Sequence, residues 1–270
     1  MKKPMVWLLA VLFLGGLASA QTLDEVLAKN YQARGGLDKL QAVAAVKMSG
    51  KMVIPAQGLE MPMVLWQKKP NRMRVETTFQ DKKIIQAYDG RKAWWIMPFQ
   101  SEAAQEMAPE QAKLLAEQAD FENPLVVFKE KGYKLELQGR EDMAGTPVFK
   151  LKLTKAGGRE IYFYLDADSG IELKSTLTLK SGEAETLNEI LYDDYKPVDG
   201  LLMPFSVENK VNGKTQVQMT MESIEINPVI SDGLFTMPQN KAEVKTEEPK
   251  QKTQAERTPK KTSGRSAAGK

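Results

Sequence analysis

The chain has 270 residues, 42% hydrophobic and 27% charged, an ordinary globular composition with room for a sizeable core in one large domain or two small ones. It contains no His and no Cys, which excludes Ser-His-Asp and Cys-His nucleophilic sites, thiolate or imidazole zinc centres, His-ligated haem and every disulfide. The formal charge of +3 belongs to the ends: residues 1–20 carry +2 and residues 240–270 carry +5, which leaves −4 over 21–239 and makes the central part a poor match for nucleic acid.

Lys2 and Lys3 precede a short apolar run, Val6 to Leu14, and Ala18-Ser19-Ala20 fits a small-residue cleavage pattern before Gln21. The run is short for a membrane span, so residues 1–20 read as a cleaved export signal and the mature chain as periplasmic. Thr22 with Glu25 forms a capping-box pattern, and Leu23, Val26, Leu27 and Tyr31 follow at helical spacing until Gly35-Gly36. From Val46 the apolar period becomes two. Met48, Met52 and Ile54 lead into runs carrying Met61, Met63 and Leu65, then Met73, Val75 and Phe79, then Ile84 to Tyr88, then Ala93 to Met97 after the turn Asp89-Gly90. The alternation breaks at Ser101. Pro109 opens a helical stretch with Ala112, Leu114, Leu115 and Ala119, and a second one follows Pro124. Strands resume at Tyr133 and continue to about residue 227, with Asn212-Gly213 the strongest hairpin turn and a parity shift between Met221 and Ile224 that predicts a bulge near Ser223.

No helix of 10–15 residues separates successive strands, which disfavours a parallel βαβ arrangement. The expected architecture is α+β: a curved antiparallel sheet of about eleven strands, an incomplete β-barrel, with the helices covering its concave face. Residues 21–238 form the domain. Residues 239–270, rich in Lys, Glu, Thr, Gln and Ala, predict a disordered basic tail, solvated or tethered to anionic lipid headgroups or cell wall.

Little in the sequence points to catalysis. Gly213-Lys214-Thr215 lacks the Gly that a phosphate loop needs five residues earlier, where Glu208 stands, and it lies in a hairpin. Asp166-Ala167-Asp168-Ser169-Gly170 lacks the later ligands of a calcium loop and reads as a turn. Asp193-Asp194 and Glu141-Asp142 are strand neighbours that point to opposite faces rather than into one gap. The expectation is no enzyme, no cofactor and no metal. The methionines say more: Met48, Met52, Met61, Met63 and Met73, with Trp66, Trp94, Trp95 and Met97 nearby, read either as an ordinary Met-rich core or as an apolar concave face able to hold acyl chains, because Met is unbranched and polarizable and adapts to irregular apolar partners.

Three stretches carry a family resemblance. Gln67-Lys-Lys-Pro-Asn-Arg-Met-Arg-Val-Glu76 followed by Tyr88-Asp-Gly-Arg-Lys-Ala-Trp-Trp-Ile96 resembles the LolA-type lipoprotein carriers. Ala33-Arg-Gly-Gly-Leu-Asp-Lys-Leu40 is similar to the opening of the broader outer-membrane lipoprotein-sorting (LolA/LolB-like) superfamily, and Tyr195 to Phe205, Ile224 to Pro228 and Leu234 to Pro238 to its C-terminal end. The resemblance implies an incomplete barrel with a helical lid over an apolar cavity, binding lipoprotein acyl chains or related lipids without chemistry. Met61, Met63, Leu65, Met73, Val75, Trp95 and Met97 are the expected cavity lining, and 101–131 the expected lid. Lys69, before Pro70, takes the entrance or transfer position where the carriers have Arg, and it brings a point charge rather than a planar fork. The implied partners are lipid, with an inner-membrane donor and an outer-membrane acceptor, and the chain is expected to be a monomer. The alternative is an envelope protein-interaction or sensor module on the same fold, with no transport role.

Overall fold

The computed structural model describes residues 21–181 and 184–239. The expected export signal (1–20) and residues 240–270 of the expected tail fall outside the described residues. Two helices, α1 (Leu23–Ala33) and α2 (Leu37–Ala42), come first. Six strands follow: β1 (Ala45–Ile54), β2 (Leu59–Lys68), β3 (Arg72–Phe79), β4 (Lys82–Tyr88), β5 (Ala93–Met97) and β6 (Ser101–Glu106). Helices α3 (Pro109–Ala119) and α4 (Pro124–Val127) lead to β7 (Lys134–Met143), β8 (Thr146–Thr154), β9 (Glu160–Asp166), β10 (Glu172–Ser181), β11 (Ala184–Val198), β12 (Leu201–Val211) and β13 (Lys214–Ile226).

All thirteen strands form one antiparallel sheet in the order β6-β5-β4-β3-β2-β1-β13-β12-β11-β10-β9-β8-β7. The sheet stays open: β6 and β7 are its two edges and do not pair. That topology dictates where the middle helices go. The connection from β6 to β7 runs from one edge of the sheet to the other, so 107–133 has to cross a face, and it crosses the inner one. There α3 packs through Ala112, Leu115 and Ala119 on Met73, Val75, Tyr88, Ala93 and Trp95. At the other end Leu125 and Phe128, joined by Val26 and Leu27 of α1, pack on Leu135, Phe149, Leu151, Leu153, Phe163 and Leu165. The inner face is thus covered from both ends, with a gap between.

The local signals hold. Thr22 caps α1: its hydroxyl accepts from the Glu25 amide at 3.3 Å while its own amide donates to the Glu25 carboxylate at 2.8 Å. Asn212 and Gly213, both at positive φ, make the β12–β13 hairpin between Val211 and Lys214. The Asp166–Gly170 stretch is a turn, with the Asp166 carboxylate accepting from the Asp168 and Ser169 amides at 3.1 and 2.6 Å. The bulge sits at Glu222: Ser49 pairs with Ser223 and Gly50 with Met221, leaving Glu222 opposite nothing. Gly50 is required there, because a Cβ would stand 2.0 Å from the Thr220 carbonyl oxygen.

Two expectations need correction. Among the described residues the strands number thirteen rather than about eleven, and 101–106 is not lid but the edge strand β6, pairing Trp94 with Glu106 and Met97 with Ser101. Ser-Glu-Ala-Ala-Gln-Glu has neither β-branched residues nor apolar alternation; the backbone ladder of β5 holds it, and its charges suit a solvent-facing edge.

The outer face carries its own cover. Residues 228–238 lie over β1–β5, where Phe235 is fully buried beside Ala45 and Ile230, and Met237 packs against Ile85, Ala87, Trp94 and Ile96. Trp94 Nε1 donates to the Phe235 carbonyl at 2.7 Å, and Arg74 Nη1 to the Leu234 carbonyl at 2.9 Å. The guanidinium of Arg74 also lies over the Trp94 ring, 5.5 Å from its centroid, and pairs with Glu76 at 2.8 Å.

Candidate functional site

Between the two helical covers lies a hollow of about 430 Å³, within the size range of small-ligand sites. Its floor is the inner face of β9–β12. Ile161 and Phe163 stand beside Ser175 and Leu177 of β10, then Asn188, Ile190 and Tyr192 of β11, then Asn209 of β12. The strand register places these side chains in cross-strand rows: Ile161–Leu177–Asn188 and Phe163–Ser175–Ile190–Asn209. The roof is the segment that leaves α3, Asp120 to Pro124.

One end of the hollow is polar. Arg34, at the C-terminus of α1, reaches in from the side. Its backbone is held tightly: the Leu202 amide donates to the Arg34 carbonyl at 3.1 Å, and Gly35 sits so close to the β11–β12 turn that a Cβ would stand 2.1 Å from the Gly200 carbonyl oxygen. Farther up α1, Asn30 Nδ2 donates to the Gly170 carbonyl at 2.8 Å and Lys29 to that of Ala167 at 2.7 Å, fixing the helix to the β9–β10 turn. Glu172, Tyr192 and Tyr195 complete the end wall. Tyr195 Oη donates to the Glu172 carbonyl at 2.6 Å, and Tyr192 Oη lies 3.4 Å from Ser175 Oγ. Burial pushes the Glu172 carboxyl up to about 7, against the opposing pull of the Arg34 charge. Burial likewise raises both tyrosine hydroxyls, helped by the Glu172 charge.

A second hollow of about 300 Å³ adjoins the first and shares Arg34, Phe121, Glu122 and Asn123 with it. Its walls include Val46, Met48, Leu201 and Met203, and Lys69 stands at its rim. Lys69 Nζ is 3.3 Å from the Glu122 carboxylate and donates to the Gln41 carbonyl at 3.2 Å. Glu122 also pairs with Lys131 at 3.0 Å. Burial works to raise the Glu122 carboxyl, but the two ammonium groups outweigh it and hold it below the ordinary range. Lys69 therefore ties the β2–β3 turn to the roof of the hollows.

The seven residues expected to line a cavity are brought together on β2, β3 and β5, but none of them lines either hollow. Leu65, Met73, Val75 and Trp95 pack beneath α3. Met63 belongs to a cluster with Met48, Met52, Met203, Met219 and Met221. Met61 is buried opposite Met52, and Met97 is half-buried at the β5–β6 turn.

Alternation alone does not predict the polar end wall. Tyr192 and Tyr195 are three apart, which a regular strand sends to opposite faces. Asp194, at φ +52°, breaks the period and brings both rings inward. Glu172 reads as an outward residue of β10, but the register shift between Glu172 and Lys174 turns it into the hollow beside Leu165. The sequence signal for that break is the residue type alone, since Asp tolerates the left-handed region better than most side chains.

Among the described residues no group of three or more Asp or Glu side chains is placed to hold a metal ion, and no helix is long and apolar enough to cross a membrane.

The fold is LolA-like. A LolA superfamily protein of Nitrosomonas europaea superposes with a TM-score of 0.54 at 16% identity, covering 80% of this chain and 98% of its own. A putative outer-membrane lipoprotein-sorting protein domain of Vibrio parahaemolyticus gives 0.52 at 13% identity, covering 78% and 94%. A DUF1329 family protein of Desulfovibrio piger gives 0.54 at 13%, covering 80% and 98%. The sequence itself matches no family profile and no curated protein.

Proposed function

We propose that this chain is a periplasmic binding protein or carrier for lipoproteins or related lipids, holding acyl chain between the inner sheet face and the α3–α4 roof without catalysis. The observation that carries this reading is the hollow of about 430 Å³ on β9–β12, where Ile161, Phe163, Leu177 and Ile190 give the floor apolar surface between Ser175, Asn188 and Asn209, and where one end is polar. Every methylene moved from water into such a place contributes about 0.8 kcal/mol, so the chain enters spontaneously and leaves only toward an equally dry acceptor. The likeness to a lipoprotein-sorting domain supports the same class of ligand. In this reading the methionine-rich face under α3, from Met61 and Met63 through Leu65, Met73 and Val75 to Trp95 and Met97, is an extension of the hollow that opens when α3 lifts. Lys69 works at the entrance, where release of its pair with Glu122 frees the roof.

The test is lipid extraction. Full-length protein purified from its periplasm without detergent should yield lipid by mass spectrometry, and the stripped protein should bind a fluorescent fatty acid with saturation. Absence of both, together with stable co-purification of one protein partner, would favour the protein-interaction module instead.

A further inference from the structure

Among the described residues Arg34 has no hydrogen-bond or ion-pair partner for its guanidinium, although its Nε is shielded from solvent. Arg34 is half-buried, and an Nε–H out of reach of water without an acceptor is costly on a group that stays charged at any working pH. The position is not an accident of a loose chain end, since the Leu202 bond and the close approach of Gly35 to Gly200 hold the backbone. The obvious counter-charge is Glu172, which faces Arg34 in the same hollow but makes no ion pair with it. Burial drives that carboxyl toward its neutral form, so it competes weakly for the guanidinium. A second buried donor without a partner, Asn188 Nδ2, lies along the same hollow. Both orphans are donors, so the missing occupant has to bring acceptors. A plain hydrocarbon satisfies neither.

We propose that Arg34 is the docking point for the oxyanion head of an amphiphile, a carboxylate or a phosphate, whose chain lies along β9–β12 with an acceptor within reach of Asn188. This rests on reading the hollow as the ligand site. Charge-assisted and bidentate hydrogen bonds are the strong ones, and the Arg fork matches either oxyanion. The apolar side chains of the floor, Ile161, Phe163, Leu177 and Ile190, then set the tolerance for chain length, while Arg34 sets the head group and the orientation.

The experiment uses the stripped full-length protein and displacement of a neutral naphthylamine fluorophore by dodecanoate, methyl dodecanoate, dodecyl phosphate or inorganic phosphate. Wild type should hold dodecanoate and dodecyl phosphate roughly tenfold or more tighter than the methyl ester. Arg34→Gln should erase that preference and leave the methyl ester unchanged, Arg34→Lys should keep part of it, and both variants should melt no lower than wild type because neither change breaks a hydrogen bond or ion pair within the protein. Equal binding of acid and ester by wild type, or a preference that survives in Arg34→Gln, overturns the assignment while leaving the hollow as a lipid site. Arg34-dependent binding of inorganic phosphate as tight as dodecyl phosphate also overturns it, and points to a free-anion site. Failure of every chain-bearing probe to bind, the methyl ester included, overturns the hollow as a ligand site and the head-group assignment with it.

Discussion

Replacing Glu172 with Gln should stabilise the protein at neutral pH and do almost nothing in mild acid. The carboxyl lies in the polar end of the hollow, and burial raises it from the ordinary 4.5 to about 7, with the Arg34 charge opposing. A carboxyl raised in the folded state binds its proton more tightly there than in the unfolded chain. Its contribution to stability is therefore fully present below about pH 4.5 and is lost as the pH rises through 7. At one unit of pKa for each 1.36 kcal/mol, the ionised form costs about 3 kcal/mol at pH 8 and a few tenths near pH 4.5. Gln is nearly isosteric and never ionises, so it removes that cost. For a domain of this size about 3 kcal/mol is roughly 6–12 °C in Tm. Urea or thermal melts of wild type and Glu172→Gln across pH 4.5 to 8, followed by circular dichroism, should diverge with rising pH, wild type falling and the variant flat over that range in relative terms. Parallel curves would refute the reasoning, since they would mean that the carboxyl is ionised and solvated in the folded protein.

Gly50→Ala drives a Cβ to 2.0 Å from the Thr220 carbonyl and 2.9 Å from Met221 Cα, both backbone atoms, so β1 and β13 have to part; the loss should be about 3 kcal/mol or more, read as a lower urea midpoint. Trp94→Phe leaves the Phe235 carbonyl without its 2.7 Å donor and opens space on the outer face. It should cost about 1–3 kcal/mol and speed amide exchange across 230–237 while leaving exchange in β7–β9 unchanged.

The parts of this fold that are legible from sequence are those governed by neighbours in the chain. The Thr22–Glu25 cap, the Asn212-Gly213 hairpin and the Asp166–Gly170 turn depend on residues a few positions apart, and each is where its motif puts it. The bulge is legible too, to within one residue, because a two-residue period cannot slip without leaving a parity error between Met221 and Ile224. The edge strand β6 is not legible, because its pairing with β5 needs no apolar face. The hollow is harder still. The methionine pattern identifies an inner face correctly as apolar, yet which part of that face stays uncovered depends on where α3 lands, and that follows from the sheet's edges rather than from any local pattern. Glu172, Tyr192 and Tyr195 reach the hollow through a bulge and a left-handed Asp, which reverse the faces that simple alternation assigns. Arg34 lies within the Ala33–Leu40 stretch that carries the family resemblance, but only the folded chain shows that it lines the hollow with its Nε shielded and unpartnered among the described residues.

The central claim is that acyl chain lies on β9–β12 beneath the α3–α4 roof. A fatty acid carrying a diazirine along its chain, bound to the stripped protein and photolysed, tests it directly when the labelled peptides are mapped by mass spectrometry. The account predicts label on 161–163, 175–177, 188–192 and the roof at 120–124. Label confined to the methionine strands 61–97, or scattered over the outer face, would contradict it.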